Sequence, residues 1–195
     1  MANEEQLAIL KQGVEVWNKW RNENPDVVIN FRNFQSQENL LRESVLQVRV
    51  LKGANLASAN LFEVNFKGAD LRDANLREAD LRGANLQGAN LHLADLRGLN
   101  LNGADLSKVD LRNTNLLGAQ LLGTNLSEVQ LSYTIFAYLD LSGAIGLSEI
   151  LHLGPSTIGA EVFVQSKGKI PRFCRVSGYR AMGDSPIGLL CSLPS

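Results

Sequence analysis

The sequence has four thiol or imidazole side chains, groups that act as nucleophiles, proton acceptors and metal ligands: His92, His152, Cys174 and Cys191. A cysteine beside a histidine forms an activated nucleophile, and a cluster of such ligands holds zinc. No flanking signature pairs His152 with Cys174, and the four residues are too scattered to match a metal-ligand spacing. We therefore predict no catalytic, cofactor-binding or metal-binding residue, and we expect that this protein is not an enzyme.

Two other motifs are also better explained without a ligand. The segment Gly154-Pro155-Ser156-Thr157 lacks the glycine-lysine pattern of a phosphate-binding loop. Asp and Asn recur every five residues, which could suggest calcium, but the nonapeptide signature of calcium-binding repeats is missing. The two cysteines are compatible with a disulfide, although two free thiols in a reducing compartment are favoured.

The dominant pattern in the sequence is a leucine at every fifth residue. From Leu51 to Leu141 this position recurs 19 times in succession, and only Phe66 and Phe136 depart from leucine. A period of five fits neither the 3.6-residue helix nor the two-residue strand. It fits a chain that turns a corner every five residues, so that each corner returns the same position, here called the central residue, to the interior.

The neighbours of the central residue support this interpretation. Two residues before it the side chain is nearly always small, mostly Ala, which suits an inward position where space is short. The residue directly before it is nearly always Asn or Asp, whose side chains bond to backbone groups at turns. Two residues after it glycine is frequent, as at Gly53, Gly68 and Gly83, and glycine tolerates the backbone angles of tight turns.

These positions spell the motif A(D/N)LXX, and from Leu51 to Ala144 the chain resembles the pentapeptide-repeat family. The resemblance implies an all-β fold, a right-handed quadrilateral parallel β-helix with four pentapeptides in each coil. Residues twenty apart would then stack, and about five coils at about 4.8 Å each would give a rod of about 24 Å. Upstream, Phe31, Leu41 and Leu46 keep the phase but Ser36 breaks it, so we expect an irregular first coil.

The N-terminal residues predict one amphipathic helix over residues 3–22, ended by Asn24-Pro25. Leu7, Leu10, Val14, Trp17 and Trp20 form its apolar face, and Lys11, Glu15, Lys19 and Arg21 form the other. Such a helix is either a docking helix at a partner or membrane surface, or a cap over the open end of the rod, which is favoured. We predict a capping helix over 1–25, the β-helix over 26–145 and a partly disordered, non-repeating segment over 146–195.

The non-repeating segment offers a second, weaker resemblance. Residues 152–171, with turns at Gly154-Pro155 and Ser166–Gly168 and a possible strand at Val162–Val164, are similar to the segment that follows the repeats in some bacterial proteins with a TIR-like effector domain. Only the short stretch 172–195 follows it, which suggests a truncated or frameshifted remnant. Near this end the outward positions become apolar, at Leu117, Leu122, Tyr133 and Tyr138. Leu117 and Leu122 are either covered by the tail, which is favoured, or form a dimer surface.

Composition limits the partners. Net charge is −1, no apolar run is long enough to span a bilayer and no signal-peptide pattern begins the chain, so we predict a cytoplasmic protein. Surface arginines could face a phosphate, but interleaved acids favour a mixed, solvated surface; residues 51–145 carry 8 Lys/Arg and 10 Asp/Glu. The arginines are Arg72, Arg77, Arg82, Arg97 and Arg112.

The period and the charge together favour a non-enzymatic module that presents a rigid rod to an unknown protein partner, either as a monomer or as an end-to-end homodimer. Nucleic-acid binding is not favoured. The family resemblance implies one alternative, a mimic of DNA that binds DNA gyrase, which needs a strongly anionic rod. The resemblance of residues 152–171 implies another, a sensor arm of a TIR-type signalling protein that lacks its effector domain.

Overall fold

In the computed structural model, the described residues are 3–12, 14–32, 51–159 and 162, with the backbone of 189–191. From Leu51 onward the chain winds as a stack of coils, each made of four pentapeptides. Parallel bridges join residues twenty apart, from Asn55 and Asn75 to Asn125 and Ile145. The predicted quadrilateral β-helix is therefore confirmed. Below, the first, second, third and fourth faces of a coil are those centred on Leu51, Leu56, Leu61 and Phe66 and on their equivalents in later coils. The two residues after each central residue are called a corner.

Each corner is a tight turn with the same hydrogen bonds. Gly53 has φ 68°, the positive value that the third residue of a type II turn requires, and Ala54 N–H closes the turn on Leu51 O at 2.9 Å. The Asn55 side-chain oxygen accepts from Ala57 N–H at 3.3 Å at the next corner. Between coils, Leu56 N–H donates to Asn75 O and Asn75 N–H donates to Ala54 O, at 2.8 and 2.9 Å. Each repeat of five residues therefore supplies one tight turn and one hydrogen-bonded bridge to the next coil.

The central residues fill the interior of the rod. All 19 of them, from Leu51 to Leu141, are at most 3% exposed, which confirms the predicted inside of the rod. Threonine replaces alanine at some of the small inward positions, and its hydroxyl is satisfied by the backbone. Thr114 and Thr134 both donate to Leu111 O, at 2.6 and 2.8 Å. A buried hydroxyl with an acceptor costs little, so these substitutions leave the coil intact.

The N-terminal part contains two helices rather than the single one predicted: α1 (Glu4–Lys11) and α2 (Val14–Glu23). The sequence carried a signal for the break, because glycine at position 13 disfavours a continuous helix. The placement of Arg21 on a polar outer face was also wrong. This side chain is 7% exposed and donates to the carbonyls of Asn24 and Val27, at 2.7 and 2.8 Å.

The first pairing of the chain with the rod does not have the regular offset of twenty residues. Asn30 bridges Asn55, and Phe31 N–H donates to Asn55 O at 2.8 Å, whereas Asn55 in turn bridges Asn75. The first of these pairings is one pentapeptide longer than the second, which has the regular offset. Phe31 therefore lies over Leu56 and not over Leu51, as the predicted irregularity of the first coil requires. The predicted repeat residues Leu41 and Leu46 lie outside the described residues.

The winding continues beyond Ile145, where the leucine repeat ends. Strand β1 (Gln130–Leu131) pairs in parallel with β3 (Leu151–His152), and β2 (Ile135–Phe136) pairs with β4 (Ser156–Ile158). These pairings lie one and two positions beyond the regular offset of twenty, and a 3₁₀ turn at Leu147–Glu149 lies just before them. Strand β5 (Leu189–Cys191) then pairs antiparallel with β4. Phe163, Val164 and Cys174 lie outside the described residues, so the predicted strand and the thiol pair stay predictions.

Candidate interaction surface

Four of the five surface arginines between residues 51 and 113 are paired with an aspartate of their own repeat. Wherever Asp precedes the central leucine and Arg follows it, the two side chains meet across the corner. Arg72 donates through Nε and Nη2 to the two carboxylate oxygens of Asp70, at 2.8 and 2.6 Å. The same bidentate contact recurs in three further pairs: Asp80–Arg82, Asp95–Arg97 and Asp110–Arg112. These contacts agree with the predicted mixed surface rather than a phosphate-binding patch.

The electrostatics of these pairs follow from their hydrogen bonds. The guanidinium of the paired arginine lowers the pKa of Asp70, Asp80 and Asp95 below the ordinary value. At Asp110 burial has the largest effect and raises the pKa, but the bonds and charge of Arg112 together outweigh it and the net shift is downward. Since the arginine side chains are 39–51% exposed, each pair stabilises the fold only slightly.

The histidines do not form a catalytic or metal constellation with other described residues. His92 lies at a corner of the first face, where its Nε2 is 3.1 Å from Asn113 Nδ2. His152 lies three coils later on the same face, beside Leu131, and burial lowers the pKa of its imidazole. In the described part of the chain no three His, Cys, Asp or Glu side chains are grouped to hold a metal ion. The predicted lack of catalytic, cofactor-binding and metal-binding residues stays a prediction.

The chemistry of the surface changes abruptly after Asn113. Residues 51–113 carry eight Lys/Arg and eight Asp/Glu, whereas residues 114–159 carry three acids (Glu128, Asp140 and Glu149) and no Lys or Arg. Large apolar side chains are exposed in that same part, and together they are called the C-terminal apolar surface. Its members are Leu117, Leu122, Tyr133, Ile135, Tyr138, Ile145, Leu151 and Leu153. The most exposed, Leu122 and Tyr138, have 68% and 67% of their area accessible.

The predicted outward positions are thus confirmed at all four residues: Leu117, Leu122, Tyr133 and Tyr138 are exposed. The prediction that the tail covers Leu117 and Leu122 concerns residues that lie mostly outside the described part. Some of these side chains are close neighbours. Gly118 N–H donates to Ala137 O at 2.8 Å, which stacks the corner of Leu117 on that of Tyr138.

A cleft opens on the third face where this stacking fails. One coil earlier, Ala119 N–H closes the corner on Leu116 O at 3.0 Å. The equivalent carbonyl, Phe136 O, instead accepts from Gly159 N–H at 2.8 Å, which extends β2 and opens the corner. On this face, the last bridge between described residues joins Asn100 and Gln120. Among the described residues, the next backbone hydrogen bond between these two coils is from Gly123 N–H to Gly143 O at 2.9 Å, and the cleft lies before it.

The resulting cleft has a volume of about 340 Å³. Its lining includes the side chains of Asn102, Gln120, Leu122, Tyr138 and Asp140. Gln120 stands where the repeat normally has Asn or Asp, and its longer side chain does not make the usual corner bond. Leu122 N–H donates instead to Asn102 Oδ1 of the preceding coil at 2.9 Å. Sequence reasoning missed this site, because glutamine also stands in the Asn/Asp position at Gln130, where the bridge to Asp110 is kept.

A rod of stacked pentapeptide coils with a charge-compensated first part and an apolar last part defines a solenoid of the repeat-protein class. The model of the pentapeptide repeats family matches eight copies between residues 41 and 145, more than half of the chain. This protein belongs to the pentapeptide repeat family, whose fold is the right-handed quadrilateral β-helix. Family membership supports a structural or protein-interaction role.

Solved structures provide further likenesses. The chain is 34% identical to a pentapeptide repeat protein from the thylakoid lumen of Arabidopsis thaliana, over 48% of this chain and 62% of that one, with a TM-score of 0.40. It is 38% identical to a pentapeptide repeat protein from Nostoc PCC 7120, over 50% and 74%, with a TM-score of 0.42. It is also similar to QnrB1, a plasmid-mediated fluoroquinolone resistance protein, with 24% identity over 49% and 61% and a TM-score of 0.31.

This chain thus spans less than two thirds of the length of the Arabidopsis protein. No curated protein matches the present chain at a significant level. Among the described residues, neither α1 nor α2 is long and apolar enough to cross a membrane.

Proposed function

We propose that this protein is a non-enzymatic binding module whose rigid β-helical rod presents the C-terminal apolar surface to a protein partner. The abrupt change after Asn113 carries the proposal, because charges disappear from the corners where exposed leucines and tyrosines appear. Exposed apolar side chains that adjoin one another, as at the stacked corners of Leu117 and Tyr138, are typical of protein interaction sites, and tyrosine is enriched there. Hydrogen-bonded coils hold these side chains at fixed spacing, so the partner meets a preformed surface.

A comparison of two matched double variants tests this role. Leu117→Ser with Tyr133→Ser removes two exposed side chains of the C-terminal apolar surface, and Lys67→Ser with Arg77→Ser removes two exposed side chains of the charged part. Each purified protein is immobilised and the proteins that it retains from cells of its natural source are quantified by mass spectrometry. We expect the first variant to lose a partner that the wild type and the second variant retain. Equal retention by all three proteins would contradict the proposed surface.

The gyrase-mimic alternative receives less support from the charges. Mimicry of duplex DNA needs rows of uncompensated negative charge, because DNA carries one charge per about 1.7 Å of axis. Here residues 51–145 have 8 Lys/Arg against 10 Asp/Glu, and four of those acids are paired with arginines of their own repeats. A supercoiling assay with purified gyrase separates the two hypotheses, since inhibition at micromolar protein would favour mimicry.

The sensor-arm alternative depends only on the resemblance of residues 152–171 to segments that precede TIR-like domains. Of these, only 152–159 and Val162 belong to the described part. The cytoplasmic location predicted from the sequence likewise stays a prediction.

We further propose that α1 and α2 cap the N-terminal end of the rod, within the predicted division 1–25, 26–145 and 146–195. Contacts at the junction support this role: the Gln6 side chain donates to Val28 O and accepts from Asn30 N–H, both at 2.8 Å. Trp17 is fully buried, with its ring centroid 5.6 Å from that of Phe31. A capped end favours the monomer over the end-to-end homodimer, and light scattering after size exclusion distinguishes the two.

A further inference from the structure

The last described strand of the chain runs against the direction of the winding. Among the described residues, every pairing between coils is parallel, whereas β5 joins the outer edge of β4 in antiparallel orientation. Residues 159–188 separate these two strands along the chain. The outer edge of β4 therefore accepts a segment that is not part of the regular winding.

The direction of the backbone groups shows which residues of β4 form this edge. Thr157 N–H donates to Thr134 O at 2.9 Å, in the coil that contains β2. Successive residues of a strand point their N–H and C=O groups to opposite sides. Ser156 and Ile158 therefore present theirs to β5.

The register of β5 shows how an added segment is held. Cys191 lies opposite Ser156, and such a facing pair exchanges two hydrogen bonds. Leu189 lies opposite Ile158 and forms a second pair of this kind. Leu190, between them, turns its N–H away from β4. Main-chain groups alone thus hold a short extended segment at this edge.

We propose that the outer edge of β4 is a binding site for an extended, uncharged segment of a partner protein, which takes the place of β5. This proposal rests on the proposed function and deepens it, because it gives the conformation and chemistry of the bound segment. The strand β5 is itself an example of the ligand, since it is extended and residues 185–195 carry no charged side chain. Addition of a strand to a sheet edge is a common mode of peptide recognition.

The edge of β4 is continuous with the C-terminal apolar surface. Thr157 pairs with Ile135, which is 37% exposed. The exposed Tyr133 donates through its N–H to the carbonyl of Pro155, directly before β4. Since β5 lies two strand spacings from Ile135, about 10 Å, a partner that covers Tyr133 and Ile135 lies beside the site that β5 occupies.

The tether of β5 determines how tightly the partner must bind. A segment joined through a tether of this length competes as if it were free at about 1 mM. A partner present at about 1 μM therefore displaces β5 only if it binds about a thousandfold more tightly than β5 does. Contacts with the C-terminal apolar surface supply this difference, so the strand site and the surface bind the same partner together.

Two proline variants of the full chain test the site. Leu189→Pro removes an N–H that faces β4 and releases the edge, whereas Leu190→Pro removes an N–H that faces away and is the matched control. The probe is a labelled synthetic peptide with the sequence of residues 185–195, followed by fluorescence anisotropy under reducing conditions. We expect Leu189→Pro to bind it saturably and at least about tenfold more tightly than the wild type or Leu190→Pro do. Absence of saturable binding to Leu189→Pro would overturn the proposal.

The same contrast within the probe assigns the binding to main-chain pairing. N-methylation at the position of Leu189 blocks the group that pairs with Ile158, whereas N-methylation at the position of Leu190 leaves both pairs intact. We expect the first peptide to bind the Leu189→Pro protein at least about tenfold more weakly than the unmethylated peptide, and the second to bind equally well. Equal binding of the two methylated peptides would refute strand addition. Circular dichroism verifies that each protein variant is folded.

Retention of the cellular partner tests the displacement of β5. We expect immobilised Leu189→Pro to retain at least about twofold more of the partner than the wild type or Leu190→Pro do, because β5 no longer competes. Suppose that these three proteins retain equal amounts and that Leu117→Ser with Tyr133→Ser loses the partner. The proposed function would then stand, and only the strand site would be removed.

A second copy of the chain is the other candidate occupant, through exchange of β5 between protomers. A dimer in light scattering that Leu189→Pro dissociates and Leu190→Pro preserves would assign the edge of β4 to that copy and overturn the proposal. A monomer in all three proteins would support a segment of a different protein.

Discussion

At the scale of the residue, the corners demand more of the backbone than the sequence reveals. The second corner residue has positive φ throughout the regular coils, including ten positions that are not glycine, such as Leu93, Lys108 and Tyr138. An ordinary side chain in this conformation costs about 1–2 kcal/mol. The frequent glycines made a tight turn predictable, but leucine or tyrosine at the same position carries no local signal. Only the hydrogen bonds between coils hold those residues there.

Replacing a strained residue by glycine should therefore stabilise the rod. We expect the free energy of unfolding of Leu93→Gly to exceed that of Leu93→Ala by about 1 kcal/mol, because only glycine adopts φ 62° without a steric penalty. Leu93→Ala removes the same exposed side chain and serves as the control. Chemical denaturation followed by circular dichroism measures the difference, and an alanine variant as stable as the glycine variant would contradict it.

Gly146 has a different role from the corner glycines. A Cβ at this position would contact the Ser127 side chain and lie 2.6 and 2.8 Å from its backbone N and Cα, whereas at Gly88 it would meet nothing within 4 Å. Both residues have positive φ, so Gly88→Ala should cost about 1 kcal/mol. Gly146→Ala adds the clash, and we expect it to cost about 2–4 kcal/mol in denaturant unfolding. Similar losses for both variants would exclude the close contact.

Burial of His152 makes stability depend on pH. The folded state lowers the pKa of this imidazole, while the unfolded chain binds a proton near the ordinary value of about 6.5. The stabilising effect is therefore complete above that value and is lost as the pH falls through the folded pKa. We expect the free energy of unfolding to fall between pH 7.5 and 5, and the fall to be smaller in His152→Leu. An unchanged slope in His152→Leu would contradict this assignment.

The paired aspartates contribute in a different window. Arginine lowers the pKa of Asp70 and its equivalents in the folded state, so their stabilising effect is present above about 3.8 and is lost only as the pH falls below it. The two effects are therefore separable in one titration. These pairs were predictable in principle, because the spacing Asp-Leu-Arg places both side chains at the same corner.

At the scale of the element, the unit is a column of central residues across the coils. Leu91 lies between Leu71 and Leu111, and all three are at most 1% exposed. The two positions that follow it form a corner, where Leu93 is 53% exposed. A period of five was enough to predict this alternation of inside and outside. It was not enough to predict the longer offsets between coils after Ile145, because no leucine register marks them.

Aspartate at Leu91, inside the rod, and at Leu93, on its surface, tests the assignment of inside and outside. We expect Leu91→Asp to unfold the rod, a loss of about 4 kcal/mol or more, because a carboxylate there is buried without a partner. Leu93→Asp should change the free energy of unfolding by only about 0.5 kcal/mol, because its side chain reaches water. Thermal unfolding of the two variants measures the contrast. Comparable damage from both would contradict the assignment of inside and outside.

At the scale of the whole molecule, the rod has two chemically different halves on one uniform scaffold. The scaffold was predictable, since 19 central residues in one phase leave few alternatives. The break between α1 and α2 could have been anticipated from Gly13. The cleft could not, because it depends on one carbonyl, Phe136 O, bonding to Gly159 rather than closing its own corner. A local repeat does not report a hydrogen bond that its carbonyl makes to the following coil.

Because one coil contains twenty residues, the length of the rod and the direction in which its later side chains point can change independently. Removing one complete coil, such as residues 71–90, would leave every later side chain on its original face and simply shorten the rod by about 4.8 Å. Removing a single pentapeptide would instead turn everything beyond it by a quarter revolution, so that Tyr133 would point at right angles to its former heading. Gain or loss of whole pentapeptides can therefore turn the C-terminal apolar surface toward any of the four faces of the rod while the pattern of interior packing is kept.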